Sequence, residues 1–450
     1  MSVNEVQIEL IRKLLRHGDR ERVAKALDKF RAAELADLFG HLPNAERKTF
    51  IQILVDVNQA AETLSELPDQ ILQEIFEHID SDLIAIILSR MPSDDAAAAI
   101  GMMSEELQNL VLSKLETKLK ERIEHIRNYP KNSAGSIMSG EMLTLPQNLS
   151  AQEAIEGIRV LAHSSEFIFY IYVVNENGTF VGVVPLRRLI SAPPESHLKE
   201  VMVIDPIAVL ANEDQEKVAE IVARYDLLAV PVVDEQFLLL GVITVDDVID
   251  VMRAEATEDM YLMQGLSEED RVYSPISVSI RKRFPWMVLN LFSVFVTAAV
   301  VGLFERSIAE VVILATFMPV VAGMGGNSGT QTLTVVTRGI ALGELAFSDA
   351  KSAIFKQLIV GFVIGLGIGV ITGLAAWLWK GNPMLGLLLF IAMMINMSVA
   401  GLTGAAVPIL LKTIRQDPAL GGGVIVTTFT DIVGFFAFLS LATLFLEYLK

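Results

Sequence analysis

Between residues 285 and 446 the chain is almost entirely apolar, divided into five stretches at 285–304, 311–336, 358–379, 385–411 and 422–446. Each reaches the roughly 20 residues that a helix needs to cross a bilayer. Four of them hold no charged residue, and the fifth holds one, Asp431. A carboxylate near the middle of a span costs roughly 2.5–3.5 kcal/mol on insertion scales. Such a group faces a water-filled path or a partner, so Asp431 is the first candidate for an ion site; the plainer alternative is a hydrogen-bonded structural acid. Lys and Arg set the orientation. Arg281, Lys282, Arg283, Arg338, Lys351, Lys356, Lys412 and Arg415 lie at one set of ends, and Arg306, Lys380 and Lys450 at the other. The excess marks the cytosolic side. Residues before 285 are therefore expected in the cytosol and, after five crossings, the C-terminus outside. Trp377 and Trp379 fall where an interfacial aromatic belt belongs.

The second stretch contains Pro319-Val-Val-Ala-Gly-Met-Gly-Gly-Asn-Ser-Gly-Thr-Gln-Thr332. Its small residues let backbones approach closely and would allow the carbonyls of a broken helix to line a cavity. Gly325 and Gly329 are also spaced for plain helix packing. Asn327, Thr330 and Gln331, beside Gly325 and Gly326, favour a polar pore lining. A phosphate loop is excluded, because no Lys follows Gly329. Asn396 in the fourth stretch reads as a hydrogen-bonding contact between helices.

The net charge of −18 hides a split. Residues 281–450 carry 11 Lys/Arg and 7 Asp/Glu, which leaves 25 basic and 47 acidic side chains, a net −22, for residues 1–280. Such a soluble part repels nucleic acid and anionic lipid and attracts cations. Cysteine is absent, which removes disulfides and thiolate metal sites. The polar N-terminus has no signal-peptide core. No Ser/His/Asp arrangement or histidine pair at metal spacing is legible, so neither catalysis nor zinc is expected.

Two repeats organise the acidic part. Tyr172-Val-Val-Asn-Glu-Asn-Gly-Thr-Phe-Val-Gly-Val-Val-Pro matches Pro231-Val-Val-Asp-Glu-Gln-Phe-Leu-Leu-Leu-Gly-Val-Ile-Thr, 59 residues on, without a gap. Each copy reads strand, turn, strand, helix start, after a helical stretch at 151–162 or 215–225. Earlier, Phe39-Gly-His-Leu-Pro43, Leu64-Ser-Glu-Leu-Pro68 and Leu88-Ser-Arg-Met-Pro92 recur at 25 and 24 residues. Helical hairpins closed by a proline and stacked on their neighbours fit that period. Residues 246–270 then gather nine acids: Asp246, Asp247, Asp250, Glu255, Glu258, Asp259, Glu268, Glu269 and Asp270. Arg253 alone is set against them within that run. Helical spacing puts Glu255, Glu258 and Asp259 on one face, and Asp247 with Asp250. Like charges so placed oppose a helix by a few tenths of a kcal/mol per pair. They read as a solvated face or as oxygen ligands for a hard cation, Mg²⁺ or Ca²⁺.

In this order, and with the Gly-Gly-Asn-Ser-Gly-Thr-Gln and Thr-Asp-Ile-Val-Gly runs, the chain resembles the MgtE family of magnesium channels and transporters. The resemblance implies a multidomain fold: an all-α helical-repeat N domain (1–130), an α/β tandem pair of cystathionine-beta-synthase (CBS) domains (131–252), an acidic connecting helix (246–280) and an all-α five-helix transmembrane domain (281–450). It implies a homodimer in a lipid bilayer with Asp431 of both subunits at the pore. It further implies Mg²⁺ as cargo and regulator, held by Asp214, Glu216, Asp226, Asp247, Asp250, Glu255, Glu258, Asp259 and Asp417, with Asp94 and Asp95 as N-domain candidates. In CBS pairs a Ser/Thr-x-x-Asp run holds a ribose; Thr244-Val-Asp-Asp247 fits, and with Tyr170 suggests an ATP site. The first copy has Pro185-Leu-Arg-Arg188 instead, and an arginine cannot accept a hydroxyl hydrogen. Two other functions stay open on sequence: a cation-coupled secondary transporter titrating Asp431, and a membrane-anchored nucleotide-sensing regulator.

Overall fold

The computed structural model describes residues 5–161, 169–267, 270, 272, 274–345 and 349–449. Ala162, Glu268, Glu269 and Lys450, named above, lie outside the described residues. The chain forms two compact units, residues 1–252 and 253–450. Their border falls inside the acidic connector rather than at its membrane end.

The first unit opens with short helices: α1 (Glu5–Arg16), α2 (Arg20–Leu27), α3 (Ala32–Gly40), α4 (Asn44–Asp56), α5 (Ala60–Ser65), α6 (Asp69–His78), α7 (Ser81–Leu88), α8 (Ser93–Gly101), α9 (Glu105–Leu112) and α10 (Thr117–Arg127). The repeated prolines have one job. Pro43, Pro68 and Pro92 cap the N-termini of α4, α6 and α8 with φ of −62°, −56° and −51°. A proline there sets φ and has no N–H to leave unpaired. The residue before each, Leu42, Leu67 or Met91, is buried in the stack.

Two small sheets follow. The first copy contains β1 (Thr144–Pro146), α11 (Ala151–Leu161), β2 (Tyr170–Val174), β3 (Phe180–Pro185), α12 (Leu186–Ser191), α13 (Leu198–Val201) and β4 (Val203–Ile204). The second contains β5 (Val209–Leu210), α14 (Gln215–Tyr225), β6 (Ala229–Val233) and β7 (Leu239–Thr244), and leads into α15 (Val245–Met263). The 59-residue repeat is a repeat of register. Val173 pairs with Gly182 in β2–β3, and Val232 with Gly241 in β6–β7. Each hairpin then slips at the next residue, Val174 or Val233. β1 and β5 pair in parallel with β2 and β6. Leu145, Ile171, Val184 and Leu198 form a core of the first copy alone. The second copy instead shares one core with the helical stack, Val218, Val230, Ile243 and Val248 joining Ile84, Leu88 and Ile100.

The second unit holds α16 (Ile276–Gly302), α17 (Glu305–Glu310), α18 (Ile313–Ala341), α19 (Ala350–Lys380), α20 (Pro383–Thr413), α21 (Gly422–Leu444) and α22 (Leu446–Leu449). Among the described residues, α16, α19, α20 and α21 are long and apolar enough to cross a membrane. The second expected span, α18, is 29 residues long, and its Gly-Gly-Asn-Ser-Gly-Thr-Gln run lowers its apolarity. That run does not break the helix: α18 is continuous through it. An unbroken helix satisfies its own backbone groups in hydrocarbon, where water cannot. α20 is the most buried of the spans, and α19 packs along it through glycines at four-residue spacing, Gly361, Gly365, Gly369 and Gly373.

Candidate cation sites

Helical spacing in α18 sorts the small run into two faces. Gly325 and Gly329 are buried. A Cβ on Gly325 would stand 2.3 Å from the Asn396 carboxamide, and one on Gly329 2.4 Å from Val426. These glycines therefore serve helix packing. Gly326 approaches α21 at Thr427, where a Cβ would lie 3.3 Å away. Thr330 is half-buried and donates its hydroxyl to the Gly326 carbonyl at 3.0 Å. Asn327 and Gln331, one turn apart, are exposed, and Asp431 on the adjacent α21 is half-buried. Polar amides thus stand exposed on a helix of membrane-spanning length, beside the helix that carries the lone acid.

Further acids gather in the first unit. Asp94 and Asp95 open α8, and Asp246, Asp247 and Asp250 lie on the first turns of α15. Burial, reinforced by Asp247 and Asp95, pushes the Asp94 carboxyl well above the ordinary carboxylate range. Its Oδ1 is buried with no hydrogen-bond partner. Burial also raises Asp95, with Asp246 and Asp250 adding to it and a hydrogen bond from Ser65 opposing. Asp247 is pushed up to about 6 by burial, with Asp246 and Asp95 adding to it and Thr244 opposing. The Thr244 hydroxyl donates to Asp247 Oδ2 at 2.5 Å, so the Thr-x-x-Asp run closes on itself as an N-terminal helix cap. Tyr170 lies half-buried in β2, opposite Pro185.

What holds α8 against this acidic face was not legible in the sequence. Glu141 Oε2 accepts from the Ser93 hydroxyl at 2.8 Å, the Ser93 N–H at 3.1 Å and the Ser139 hydroxyl at 2.6 Å. Its Oε1 takes Arg122 at 2.9 Å. Burial pushes the Glu141 carboxyl up, but these four bonds outweigh it and hold it below the usual range.

Raised carboxyls give a pH dependence with a definite sign. Their contribution to stability is complete below the unfolded value and is lost as pH rises through the folded one, which for Asp247 is about 6. Glu141, being lowered, keeps its contribution at every pH above the ordinary carboxylate range. With chelator present, the full-length protein is expected to melt at a higher temperature at about pH 5.5 than at about pH 7.5. An equal or lower melting point would contradict the burial of this cluster.

A third group of acids lies within the second unit. Burial pushes Asp259 up to about 6, with Asp417 and Glu255 adding and Arg338 opposing. Asp417 Oδ1 also accepts from the Ala419 N–H at 2.7 Å. Glu258 shares α15 with Glu255 and Asp259. Asp270 departs from the expected free acid: it is buried, paired with Arg283, and takes the Ser279 hydroxyl at 2.6 Å. Asp214 and Glu216 stand at the start of α14 and Asp226 at its end. Those ends lie about 18 Å apart at 1.5 Å per residue, so one chain cannot bring them to one ion. Among the described residues, no three His, Asp or Glu side chains are placed to hold a metal ion.

The profile of the divalent cation transporter MgtE matches residues 318–441, that of the MgtE intracellular N domain residues 30–132, and that of the CBS domain residues 134–195 and 198–254. The chain is 31% identical over 447 residues to the magnesium transporter MgtE of Bacillus subtilis (strain 168), covering 99% of each chain. The chain belongs to the MgtE family. A second MgtE magnesium transporter, from Thermus thermophilus, is 32% identical, with 97% of this chain and 98% of that one covered. The crystal structure of the cytosolic domain of the Mg²⁺ channel MgtE in complex with ATP matches 54% of this chain and 98% of its own, at 31% identity and a TM-score of 0.51. The crystal structure of the soluble part of a magnesium transporter matches 56% of this chain and 99% of its own, at 27% identity and a TM-score of 0.53. MgtE proteins are multi-pass membrane transporters and not enzymes. The expected order of N domain, CBS pair and membrane helices therefore holds along the chain.

Proposed function

We propose that the protein is a homodimeric Mg²⁺ channel that admits Mg²⁺ to the cytosol and is closed by cytosolic Mg²⁺. The observation that carries this reading is the exposed Asn327–Gln331 face of α18 beside Asp431 on α21. Exposed to lipid, these groups would be costly; facing a second copy across a water-filled path, they become its lining. The magnesium transporter relatives supply the ion. The membrane potential supplies the driving force, roughly 4.6 kcal/mol per 100 mV for a divalent cation at about 2.3 per charge. No nucleotide hydrolysis is required.

Closure is assigned to the two soluble acid groups. Asp94, Asp95, Asp247 and Asp250 form one and Glu255, Asp259 and Asp417 the other; their mutual repulsion is relieved by a bound cation. Glu258, Asp214, Glu216 and Asp226 are exposed or half-buried and can complete sites with water or with the partner subunit. Closure reaches the pore through the end of α15. The Gly421 N–H donates to the Leu262 carbonyl at 2.9 Å, and a Cβ on Gly423 would lie 2.7 Å from the Met263 carbonyl. The end of α15 therefore rests on the first turn of the helix that bears Asp431. ATP, bound by the solved cytosolic relative, would find Thr244 and Asp247 in the second copy but Arg188 in the first. The orientation read from Lys and Arg puts the soluble unit in the cytosol and the C-terminus outside.

The test is flux in liposomes holding the full-length protein, at a fixed inside-negative voltage. Mg²⁺ entry is expected to follow voltage rather than an imposed proton gradient, and to fall at least about tenfold when internal Mg²⁺ rises to millimolar. Flux that ignored internal Mg²⁺ would remove the gating role, and flux that followed protons would remove the channel.

A further inference from the structure

Asn396 has no part in the function described so far, yet it is completely buried in the centre of the membrane unit. Its Nδ2 donates to the Val321 carbonyl of α18 at 2.8 Å, and its Oδ1 has no protein partner. Two glycines make room for it. A Cβ on Gly325 of α18 would lie 2.3–2.9 Å from the three carboxamide atoms, and one on Gly434 of α21 2.7–3.0 Å from the same three. The carboxamide therefore sits in a notch bounded by the two helices that carry the polar face and the acid. Gly325 lies two residues before Asn327, and Gly434 three after Asp431.

A contact serving only to join α20 to α18 would need one glycine and one bond. Here both neighbouring helices rest on the same flat group, and the Asn396 Oδ1 accepts from no protein group inside a bilayer-length bundle. From that geometry we infer that Asn396 is a positioning residue for ion selection: it sets the separation of α18 and α21, and through it how Asn327, Gln331 and Asp431 of each copy are presented to the opening between the two copies. The inference rests on the channel reading above. Mg²⁺ gives up water reluctantly and demands a regular octahedral shell, whereas Ca²⁺ accepts irregular, larger ones. An opening whose width is held firmly can separate the two; a loosened one cannot.

The experiment measures initial Mg²⁺ and Ca²⁺ entry separately in liposomes of full-length wild type, Asn396→Leu, Asn396→Ala, Gly325→Ala and Asn396→Ala/Gly325→Ala. Leu keeps the volume and cannot donate. Asn396→Leu is expected to lower the Mg²⁺:Ca²⁺ rate ratio by about tenfold, where a purely structural loss would lower both rates together. Gly325→Ala alone should cut Mg²⁺ entry, because its Cβ meets the carboxamide. With Asn396→Ala beneath it the same change should cost little, since the Cβ then enters vacated space. If Asn396→Leu does not assemble, Asn396→Ala carries the ratio measurement. An unchanged ratio in an assembled variant, or equal damage by Gly325→Ala in both backgrounds, overturns the inference. Absence of Mg²⁺ entry in wild type would overturn the channel reading instead.

Discussion

Replacing Asp431 by Asn is expected to reduce voltage-driven Mg²⁺ entry to below about 1% of wild type while the protein still assembles in the membrane. The substitution keeps the shape and hydrogen-bonding reach of the side chain and removes only the charge. At about 4 Å and an effective dielectric of 20, one carboxylate attracts a divalent cation by about 8 kcal/mol, twice the unit-charge figure. In the proposed two-fold dimer the change would remove that attraction from both sides of the path. Nothing else ionisable on α18 or α21 within the hydrocarbon replaces it: the remaining polar groups of the proposed lining are amides and hydroxyls. Insertion should become easier, since the intramembrane charge costs roughly 2.5–3.5 kcal/mol, so lost flux cannot be ascribed to lost assembly. Asp431→Glu is the companion variant and should retain part of the flux. Wild-type uptake by Asp431→Asn, measured as radiotracer or dye signal in liposomes, would end the assignment of this residue to the pore.

Features set by local pattern were legible in the sequence, and features set by distant contacts were not. The 59-residue repeat foretold two equivalent hairpins because strand pairing follows alternation and turn length, both local. The prolines at 43, 68 and 92 marked the period of the helical hairpins, while their place at helix N-termini came only with the structure. Asp431 stood out because hydrocarbon makes any charge conspicuous. The approach of Asp94 and Asp95 to Asp247 joins residues far apart in the chain, and Glu141 reaches Ser93 across 48 positions. No periodicity carries such information. Asp270 looked like one more connector acid because its partner, Arg283, lies beyond the acidic run. The glycine run of α18 left two readings open, because glycines in membranes serve close packing as readily as they serve irregular backbone. The spacing of Gly325 and Gly329 showed that choice, and their neighbours across the interface decided it.

The same packing logic predicts the largest structural effect, which is in α19. Gly361→Ala is expected to prevent assembly or leave only a small fraction of wild-type protein eluting as a single species from detergent. An alanine Cβ at 361 would stand 2.3 Å from the Met397 carbonyl oxygen of α20, and one at 373 2.6 Å from the Gly386 carbonyl oxygen. The obstacles are backbone atoms, which cannot rotate away as a side-chain tip can, so the helices must separate along their length. Overpacking of this kind typically costs about 1–3 kcal/mol per site, and Gly361→Ala/Gly373→Ala combines two sites at opposite ends of one interface. Interfacial water offers no compensation, because helix association in a bilayer depends on close contact and not on a hydrophobic drive. Gly367 supplies the control. It lies on the exposed side of α19, and a Cβ there meets nothing within 4 Å. Gly367→Ala should therefore match wild type or exceed it slightly, since alanine favours helix by about 1 kcal/mol over glycine in water. Equal yields for Gly361→Ala and Gly367→Ala, read by size-exclusion profile and melting temperature, would show that α19 and α20 do not meet through these glycines. Because α20 also presents Asn396 to α18 and α21, that result would remove the support on which the spacing of the polar face depends.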